Sequence, residues 1–532
     1  MAKHSHKKEP SRTQNSASAA QHPPLQAVDR GLFYLTASIT GATVMMIELL
    51  GTRIIGPYYG VSMIVWSSLL STALLALSIG YLLGGRLADT APWLRLSHIL
   101  LVTAVLIGVI PLLSKPVQLA SNGLGLRGGA LMSALILFTP CLLALGMVGP
   151  YVIKIATSGL ERVGRTAGTV YAISTLGSVM GTLLLGFFLL PLFGTENIVL
   201  SLSALMLVLS FLLALYENLR LKAGNSLVGW GATTAVLALA LFLGVGSTLG
   251  TRDYPNSQVI FEEETHYGWV RVVDQPERGI RWLMSGGSTI GAEHLETGTG
   301  MLGYQQVVGH LPRFHPAGED ALLVGLGSGH LVNTYRQFGV RTDAIEIDPA
   351  VAHAAHEYFS FEPTGDVIVG DARYQIKQLD KRYDFIIHDC FTGGAEPIHL
   401  LSLEMFRELK AKLKPGGVLA LNFVGLTLED EETPVEAVAH TLDQVFDHRR
   451  TFVSSPDATF NDFVFFVSDR PLNLTGPEAA LSWLEERETT VAGDTDLVIT
   501  DNFNPLETLH IAKAEYYRDL LIERVGEDIL FY

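Results

Sequence analysis

Long apolar runs dominate the first half of the chain. Between residues 32 and 250 they follow one another with few polar positions inside them. The seven runs lie near Leu32–Leu50, Val61–Leu83, Leu94–Leu113, Ala130–Ile155, Thr166–Leu192, Ile198–Tyr216 and Val228–Val245. A helix needs about 20 such residues to cross the hydrocarbon core of a bilayer. The pattern predicts a multi-pass α-helical membrane domain of about seven helices over residues 31–250, with the lipid bilayer as a partner.

The second half shows a different pattern, in which short apolar segments alternate with turns. Segments around Val259, Val270 and Trp282, broken at QPERG and SGG, predict β-hairpins, so residues 251–300 are expected to form a small β region. Over residues 301–532 strands alternate with helices, which predicts an α/β Rossmann-like, doubly wound domain. Residues 1–30 are basic and polar without an apolar run, and are predicted to be a disordered tail.

One segment of the second half has the pattern of a nucleotide-binding unit. An apolar strand leads into Gly325, Gly327 and Gly329, a helix follows, and the next strand ends on Glu346. Such glycines let the backbone turn tightly beside a ligand, and the acidic residue about 20 positions later binds ribose hydroxyls. Because His330 stands where a dinucleotide site has its third glycine, an adenosine ligand fits better than a dinucleotide.

Composition excludes several other classes of protein. The chain has 532 residues, of which 48% are hydrophobic and 17% charged, and its net charge is −16. That charge argues against nucleic acid as a partner. The two cysteines, Cys141 and Cys390, cannot build a disulfide framework or a cysteine metal site, and no metal is expected.

At this point the chain is similar to a known family. Residues 257–470 resemble spermidine synthases, the polyamine aminopropyltransferases, and the apolar first half resembles the membrane-fused branch of that family. The resemblance implies a methyltransferase-like fold over residues 301–532 and no bound cofactor. It implies that decarboxylated S-adenosylmethionine is the co-substrate, that putrescine is converted to spermidine, and that 5′-methylthioadenosine is released. It also leaves a homodimer open.

The resemblance assigns roles to individual residues. Asp389, in YDFIIHD, stands at the position of the proton-accepting aspartate. The positions implied to bind the donor or methylthioadenosine are Gln258, Gly325, Gly327, Glu346, Asp371, Ala372 and Pro397. The positions implied to bind the acceptor are Tyr304, Gln305, Ser328 and Thr392.

The acceptor side departs from the family pattern. Ser328 and Thr392 stand where the family has aspartates, and TGTGML replaces an Asp-Glu pair. A dicationic acceptor needs paired negative charge, so these losses weaken the expectation of putrescine unless Glu293, Glu296 or Glu396 takes over. Two alternatives therefore stay open. One is an S-adenosylmethionine-dependent methyltransferase or lyase, and the other is a transporter or sensor with an adenosyl-binding domain.

The sequence gives conflicting indications of membrane sidedness. Basic residues favour cytoplasmic loops. They fall in alternate loops, at Arg86 and Arg95, at Lys154, Arg162 and Arg165, and at Arg220 and Lys222. In phase with the basic tail, seven spans would place the soluble half outside the cell. Since S-adenosyl donors are made in the cytosol, we expect a cell-membrane protein whose catalytic domain faces the cytosol.

Overall fold

The computed structural model describes residues 27–530 apart from 61, 92, 158–159, 222–253, 255, 392–395, 427–433 and 492–494. Nearly all of the predicted tail, the seventh apolar run and Thr392 lie outside the described residues. The first part of the described chain is entirely helical. Its helices are α1 (Ala27–Tyr59), α2 (Met63–Thr90), α3 (Leu96–Gly108), α4 (Ile110–Ser121), α5 (Gly125–Ala156), α6 (Val163–Leu184), α7 (Leu190–Phe193) and α8 (Thr195–Leu221).

Among the described residues, five helical segments are long and apolar enough to cross a membrane, by length and composition. They are Arg30–Tyr59, Met63–Thr90, Ile110–Ala156, Val163–Leu189 and Thr195–Leu219. These segments include the first, second, fourth, fifth and sixth predicted runs. The third run is instead divided at Val109 between the 13-residue α3 and the start of α4, which follow one another along the bundle.

Small residues allow the bundle to pack closely. A side chain at Gly80 of α2 would meet the backbone oxygen of Leu143 in α5 at 2.4 Å, and one at Gly177 of α6 would meet that of Ser38 in α1 at 2.1 Å. Only glycine fits where two helix backbones approach this closely. The glycines in the predicted runs therefore fix which helices are neighbours.

The helices run back and forth between two ends of the bundle. We call the end formed by Tyr59, Gly125 and Thr195 the docking end, and the end formed by Thr90, Ala156 and Leu221 the far end. Side-chain contacts agree with this alternation. Lys154 and Asp89 pair at 3.0 Å at the far end, and Ser203 in α8 bonds Ala104 in α3 midway along the bundle.

The second half of the chain begins with a four-stranded antiparallel sheet. Its strands, in the spatial order in which they follow the chain, are β1 (Gln258–Glu264), β2 (Trp269–Gln275), β3 (Ile280–Ser285) and β4 (Ser288–His294). The hairpins predicted around Val259, Val270 and Trp282 are therefore present, with one more strand after SGG.

An eight-stranded mixed sheet follows. Its strands are β5 (Asp320–Val324), β6 (Arg341–Glu346), β7 (Val367–Val369), β8 (Tyr383–His388), β9 (Leu413–Leu426), β10 (His448–Val453), β11 (Phe460–Ser468) and β12 (Glu488–Thr489). Their spatial order is β12-β10-β11-β9-β8-β5-β6-β7. Strands β5 to β9 are parallel, whereas β10 to β12 are joined antiparallel.

Helices connect and cover these strands. They are α9 (Gly303–Val308), α10 (His330–Arg336), α11 (Pro349–Tyr358), α12 (Ala372–Gln378), α13 (Leu403–Lys412), α14 (Pro434–Asp443), α15 (Glu478–Glu485), α16 (Leu506–Leu509) and α17 (Ile511–Val525). The chain order reverses between β5 and β8, since β6 and β7 lie on one side of β5 and β8 on the other. Ligands bind outside the carboxyl ends of the strands at such a reversal.

The two halves form one body through contacts at the docking end. Arg53 of α1 donates to the carbonyl oxygens of Thr265 and His266, the former at 3.0 Å. Glu515 of α17 accepts from the backbone N–H of Leu126 at 2.6 Å, and Arg518 lies over the Tyr58 ring at 5.3 Å. The second half of the chain is thus seated on the docking end of the helical bundle.

Candidate active site

A cavity of about 650 Å³ lies at the point where the strand order reverses. Its walls combine the carboxyl ends of β5, β6 and β8 with residues of α9, β9, β11 and α17. This volume is within the range of small-molecule sites. The predicted residues that line it are Tyr304, Gly325, Gly327, Glu346, Asp371, Ala372, Asp389 and Pro397.

The glycine loop after β5 is shaped as the sequence predicts. Gly325, Gly327 and Gly329 have φ angles of +92°, +54° and +76°. A side chain at Gly325 would meet the backbone oxygen of Asp389 at 2.1 Å. The loop therefore lies directly against the end of β8, and Gly325 and Gly327 form part of the cavity wall.

Glu346 ends β6 and faces the same loop. Its two oxygens accept from the backbone N–H groups of Leu326 and Asp348, at 3.0 and 3.1 Å. Burial raises the pKa of the Glu346 carboxyl, while those two bonds oppose the rise. The carboxylate is held in place at the cavity wall, where each oxygen keeps a lone pair for a further hydrogen-bond donor.

Asp371 directly precedes α12 and Ala372 is its first residue, and both line the cavity. One oxygen of Asp371 caps the helix by accepting from the backbone N–H of Tyr374 at 2.8 Å, and the other lies 3.6 Å from His399. Ala372 is buried, and Pro397 closes the wall opposite. That Asp371, Ala372 and Pro397 bind the donor or methylthioadenosine stays a prediction.

Asp389 follows β8 and joins the two halves of the cavity. Its Oδ2 accepts from the Tyr304 hydroxyl at 2.8 Å, and its Oδ1 accepts from Nδ2 of Asn422 at 3.0 Å. Burial raises its pKa to about 6, although both bonds act in the opposite direction. Near neutral pH the carboxyl is mainly ionised and close to the pH at which it gains a proton, which suits a general base.

Tyr304 stays protonated in this arrangement. Burial, with the neighbouring Asp389 charge, raises the pKa of its phenol well above the usual value. It therefore donates its hydrogen bond at all physiological pH values. Tyr304 and Asn422 together fix the orientation of the Asp389 carboxylate.

The other half of the cavity contains residues that the sequence analysis missed. They are Asn422 in β9, Asp462 in β11, and Tyr517 and Arg524 in α17. Asn422 and Asp462 interrupt the otherwise apolar strands LALNFV and FNDFVFF, and a polar residue in such a strand is a signal that sequence alone offers. Tyr517 and Arg524 carry no such signal, because they lie in a helix that is far in sequence from the strands that form the cavity.

Burial also affects the two missed residues nearest to Asp389. It raises the pKa of the Asp462 carboxyl, which accepts from the Ser454 hydroxyl at 2.8 Å and lies within electrostatic reach of Asp389. The carbonyl oxygen of Asn422 is buried without a hydrogen-bond partner among the described residues. The Asp462 carboxylate and the Asn422 carbonyl oxygen are hydrogen-bond acceptors on residues that line the cavity.

Several predicted residues are placed elsewhere. Gln258 is exposed at the start of β1 and does not line the cavity. Ser328 is fully buried, bonds Nδ1 of His330 at 2.7 Å and lies behind the wall. Gln305 approaches the Tyr304 hydroxyl at 3.5 Å, so it supports the wall without lining it. Thr392 lies outside the described residues.

The carboxylates proposed to replace the missing acids do not line the cavity either. Glu293 is buried between His330 and Arg281, at 3.4 and 3.5 Å. Glu396 is buried in an ion pair with Lys513 at 2.5 Å. In the half of the cavity that contains Asn422, Tyr517 and Arg524, the carboxylate that lines the wall is that of Asp462.

Parts of this chain are similar to known proteins. The profile of the Spermine/spermidine synthase domain matches residues 301–471. A polyamine aminopropyltransferase of Vibrio vulnificus is 38% identical over 128 residues, which are 23% of this chain and 43% of that protein. An N-terminal histidine N-methyltransferase of Emericella nidulans is 40% identical over 114 residues, 20% of each chain. This chain thus spans less than half the length of either relative.

Part of the chain is also similar to solved structures. A probable spermidine synthase from Corynebacterium glutamicum is 18% identical, with a TM-score of 0.37, over 43% of this chain and 87% of that one. The domain match covers α9, the glycine loop, Glu346 and Asp389, together with both Asn422 and Asp462. Residues 301–471 therefore match a spermine/spermidine synthase domain, and we call the second half of the chain, which is seated on the bundle of apolar helices, the synthase domain.

Proposed function

We propose that this protein is a membrane-bound aminopropyltransferase-like enzyme. In this proposal an aminopropyl group passes from decarboxylated S-adenosylmethionine to an amine, putrescine by family resemblance, and 5′-methylthioadenosine is released. The observation that carries the proposal is Asp389, held by Tyr304 and Asn422 in the cavity that Glu346 also lines. That arrangement joins a candidate base to a candidate nucleoside site.

Each half of the cavity has a role in this reaction. The glycine loop and Glu346 bind the adenosine of the donor, with the carboxylate accepting from the ribose hydroxyls. Asp462 and the free oxygen of Asn422 bind the amine, which brings its nitrogen beside Asp389. Positioning two reactants in this way supplies a large part of the catalysis.

The chemical step needs only proton removal and correct geometry. The amine nitrogen attacks the carbon next to the sulfonium, so that a nitrogen–carbon bond forms as the carbon–sulfur bond breaks. The electron pair of the broken bond stays on sulfur, which leaves as a neutral thioether. Asp389 takes the proton that the amine loses.

The test is to identify the nucleoside that the purified protein releases. Incubation with decarboxylated S-adenosylmethionine and an amine should give methylthioadenosine and an aminopropylated product. Release of neither methylthioadenosine nor S-adenosylhomocysteine, from either donor and a panel of amines, would refute a transferase. The Asp389→Asn variant is the matched control for non-enzymatic breakdown of the donor.

A second candidate is a methyltransferase. It is supported by the similarity to the Emericella N-terminal histidine N-methyltransferase, which acts on an amine-bearing substrate by its name. The loss of family aspartates at Ser328 and Thr392 agrees with it. In that reaction intact S-adenosylmethionine gives its methyl group to nitrogen and S-adenosylhomocysteine is released, so the nucleoside product separates the two candidates.

We also propose that the helical bundle spans the cell membrane. Large apolar side chains of α6 point outward, among them Leu176, Met180 and Phe187 of the following turn, each at least 60% exposed. A surface of this kind needs lipid or another protein to cover it. The bundle then anchors the synthase domain close to the bilayer surface.

The docking geometry supports the non-cytoplasmic side for the synthase domain. Basic residues of the bundle concentrate at the far end, at Arg30, Arg86, Arg95, Lys154, Arg162, Arg165 and Arg220, whereas the docking end has Arg53, Lys115 and Arg127. The richer end is expected in the cytoplasm. We therefore propose the side opposite to the cytosolic one expected above, which requires that the donor reach that side.

Sidedness can be tested with a membrane-impermeant maleimide on intact cells. In a Cys390→Ser background, cysteine is introduced at the exposed Glu362 of the synthase domain or, as the matched control, at the exposed Asp89 of the far end. Labelling of Glu362→Cys but not of Asp89→Cys supports the proposal. The reverse pattern would place the domain in the cytosol.

A further inference from the structure

Arg524 gives the cavity a positive charge that the proposed reaction does not use. It lies one residue before the end of α17 and lines the cavity, where it shares the wall with several carboxylates. Its charge lowers the pKa values of Asp462 and Tyr517, against the effect of their burial. The guanidinium is therefore within electrostatic reach of both side chains.

No described residue neutralises this guanidinium. Among the residues that the structure describes, no hydrogen bond or ion pair of the Arg524 side chain is present, and only its backbone oxygen is bonded, by Gln275 and Arg278. Lys513 provides the contrast, because its buried charge is matched by Glu396. The Arg524 charge faces the cavity, where a ligand can meet it.

We propose that Arg524 binds a carboxylate of the substrate, while Asp462 beside it binds an ammonium group. One of the two substrates is then an amino acid or carries an amino-acid tail, rather than both being purely cationic. The inference rests on the proposed function in assuming a sulfonium donor and an amine acceptor. It deepens that function by naming the chemical class that this wall selects.

The chemistry of arginine favours this assignment. Its planar fork matches a carboxylate with two parallel hydrogen bonds, and its charge is never lost. A diamine, by contrast, would place a second positive charge next to the guanidinium, which opposes binding. The family aspartates absent at Ser328 and Thr392 fit the same change of ligand, from two ammonium groups to a zwitterion.

The carboxylate has two possible sources. In the donor it would be the methionine tail of intact S-adenosylmethionine, and in the acceptor it would be the carboxylate of an amino acid such as ornithine. Ornithine is putrescine with one added carboxylate, so this pair isolates the group in question. S-adenosylhomocysteine and methylthioadenosine form the corresponding pair for the donor side.

The donor test measures binding by calorimetry and needs no turnover. Arg524→Gln should weaken S-adenosylhomocysteine about 10-fold to 100-fold, and leave methylthioadenosine unchanged, if the donor carries the carboxylate. Arg449→Gln, which removes a surface pair with Asp443, is the matched control and should change neither. Arg524→Lys keeps the positive charge but lacks the planar guanidinium. It replaces Arg524→Gln in this test if the glutamine variant does not fold.

The acceptor test compares kcat/KM for ornithine and putrescine with the donor that the protein uses. If the acceptor carries the carboxylate, Arg524→Gln should lower the ornithine value about 10-fold or more and leave or raise the putrescine value. The inference is overturned if Arg524→Gln changes neither the affinities for the two nucleosides nor the kcat/KM values for the two amines. It is also overturned if the variant weakens both nucleosides equally and both amines equally. Absence of transfer from any donor would refute the proposed function, and the calorimetric result would still decide whether Arg524 reads a carboxylate.

Discussion

We name the two halves of the cavity after their proposed ligands, the donor half and the acceptor half, and they are built in different ways. The donor half comes from consecutive strand ends, with Gly325 after β5, Glu346 ending β6 and Asp371 after β7. The acceptor half comes from segments far apart in the chain, with Tyr304 in α9, Asn422 in β9 and Arg524 in α17. The first half is local in sequence and mostly backbone, and the second is long-range and made of side chains.

This difference shows where the chain is free to change its chemistry. The donor half depends on backbone geometry and on carboxylates that also accept backbone hydrogen bonds, so a substitution there disturbs the fold as well. The acceptor half can exchange one charged side chain for another without moving a strand. Of the two departures from the family aspartates, Ser328 lies behind the cavity wall and Thr392 lies outside the described residues, so Asp462 and Arg524 are the charged residues that distinguish the acceptor half.

The largest expected effect comes from the residue shared by both halves. Asp389→Asn should lower kcat about 100-fold to 10,000-fold, because the amide cannot accept a proton. The affinity for methylthioadenosine, measured by calorimetry, should stay within a few-fold of the parent. Turnover at the parental rate would show that Asp389 is structural.

A change confined to the donor half should act on nucleoside affinity. Glu346→Ala removes two charge-assisted bonds to ribose, which should cost about 3 kcal/mol of binding free energy, or roughly 100-fold in Kd. Glu362→Ala, at an exposed surface pair, is the control. Unchanged calorimetric affinity for methylthioadenosine would remove Glu346 from the site.

The pH dependence of kcat/KM should report the buried base. Because burial raises the pKa of Asp389 to about 6, the carboxyl is protonated and inactive below that pH. We expect kcat/KM to fall about tenfold per pH unit below pH 6 and to level off above it until the amine titrates. A profile with no fall between pH 7 and pH 5 would exclude Asp389 as the base.

A change confined to the acceptor half should act on the amine alone. Asp462→Asn should raise the KM of the amine about tenfold, since one charge-assisted bond is lost, and leave nucleoside affinity unchanged. Equal losses of amine affinity and nucleoside affinity would mean that the two halves of the cavity are not independent. Initial rates at varied amine concentration decide between these outcomes.

The smallest effect is expected at Ser328, which the structure places behind the wall. Ser328→Ala should cost about 1 kcal/mol of unfolding free energy through the lost bond to His330, and leave the KM of the amine unchanged. Ser328→Asp would place a charge at a fully buried position and should destabilise the fold without improving putrescine use. Improved putrescine kinetics in that variant would restore Ser328 to the acceptor site.

Sequence reasoning located cavity residues where their positions follow from local pattern. The glycine spacing, the acid 20 positions later and the acid after β8 could be found because strand ends in a parallel sheet meet at one edge. Asp462, Tyr517 and Arg524 reach the cavity only through long-range packing, and no spacing connects them to Asp389. Gln258 and Ser328 were carried over by position in a motif, and their side chains face elsewhere.

Helix α17 has a consequence for how the protein responds to its surroundings. One of its faces gives the cavity Tyr517 and Arg524, and another rests on Tyr58 and on the N-terminus of α5. We therefore expect a tilt of α1 against α5 to move the part of the cavity wall that holds Tyr517 and Arg524. In the proposed membrane-bound enzyme, the thickness of the lipid, or its replacement by detergent, is then expected to change substrate affinity, and a synthase domain separated from the bundle is expected to lose the support of that wall.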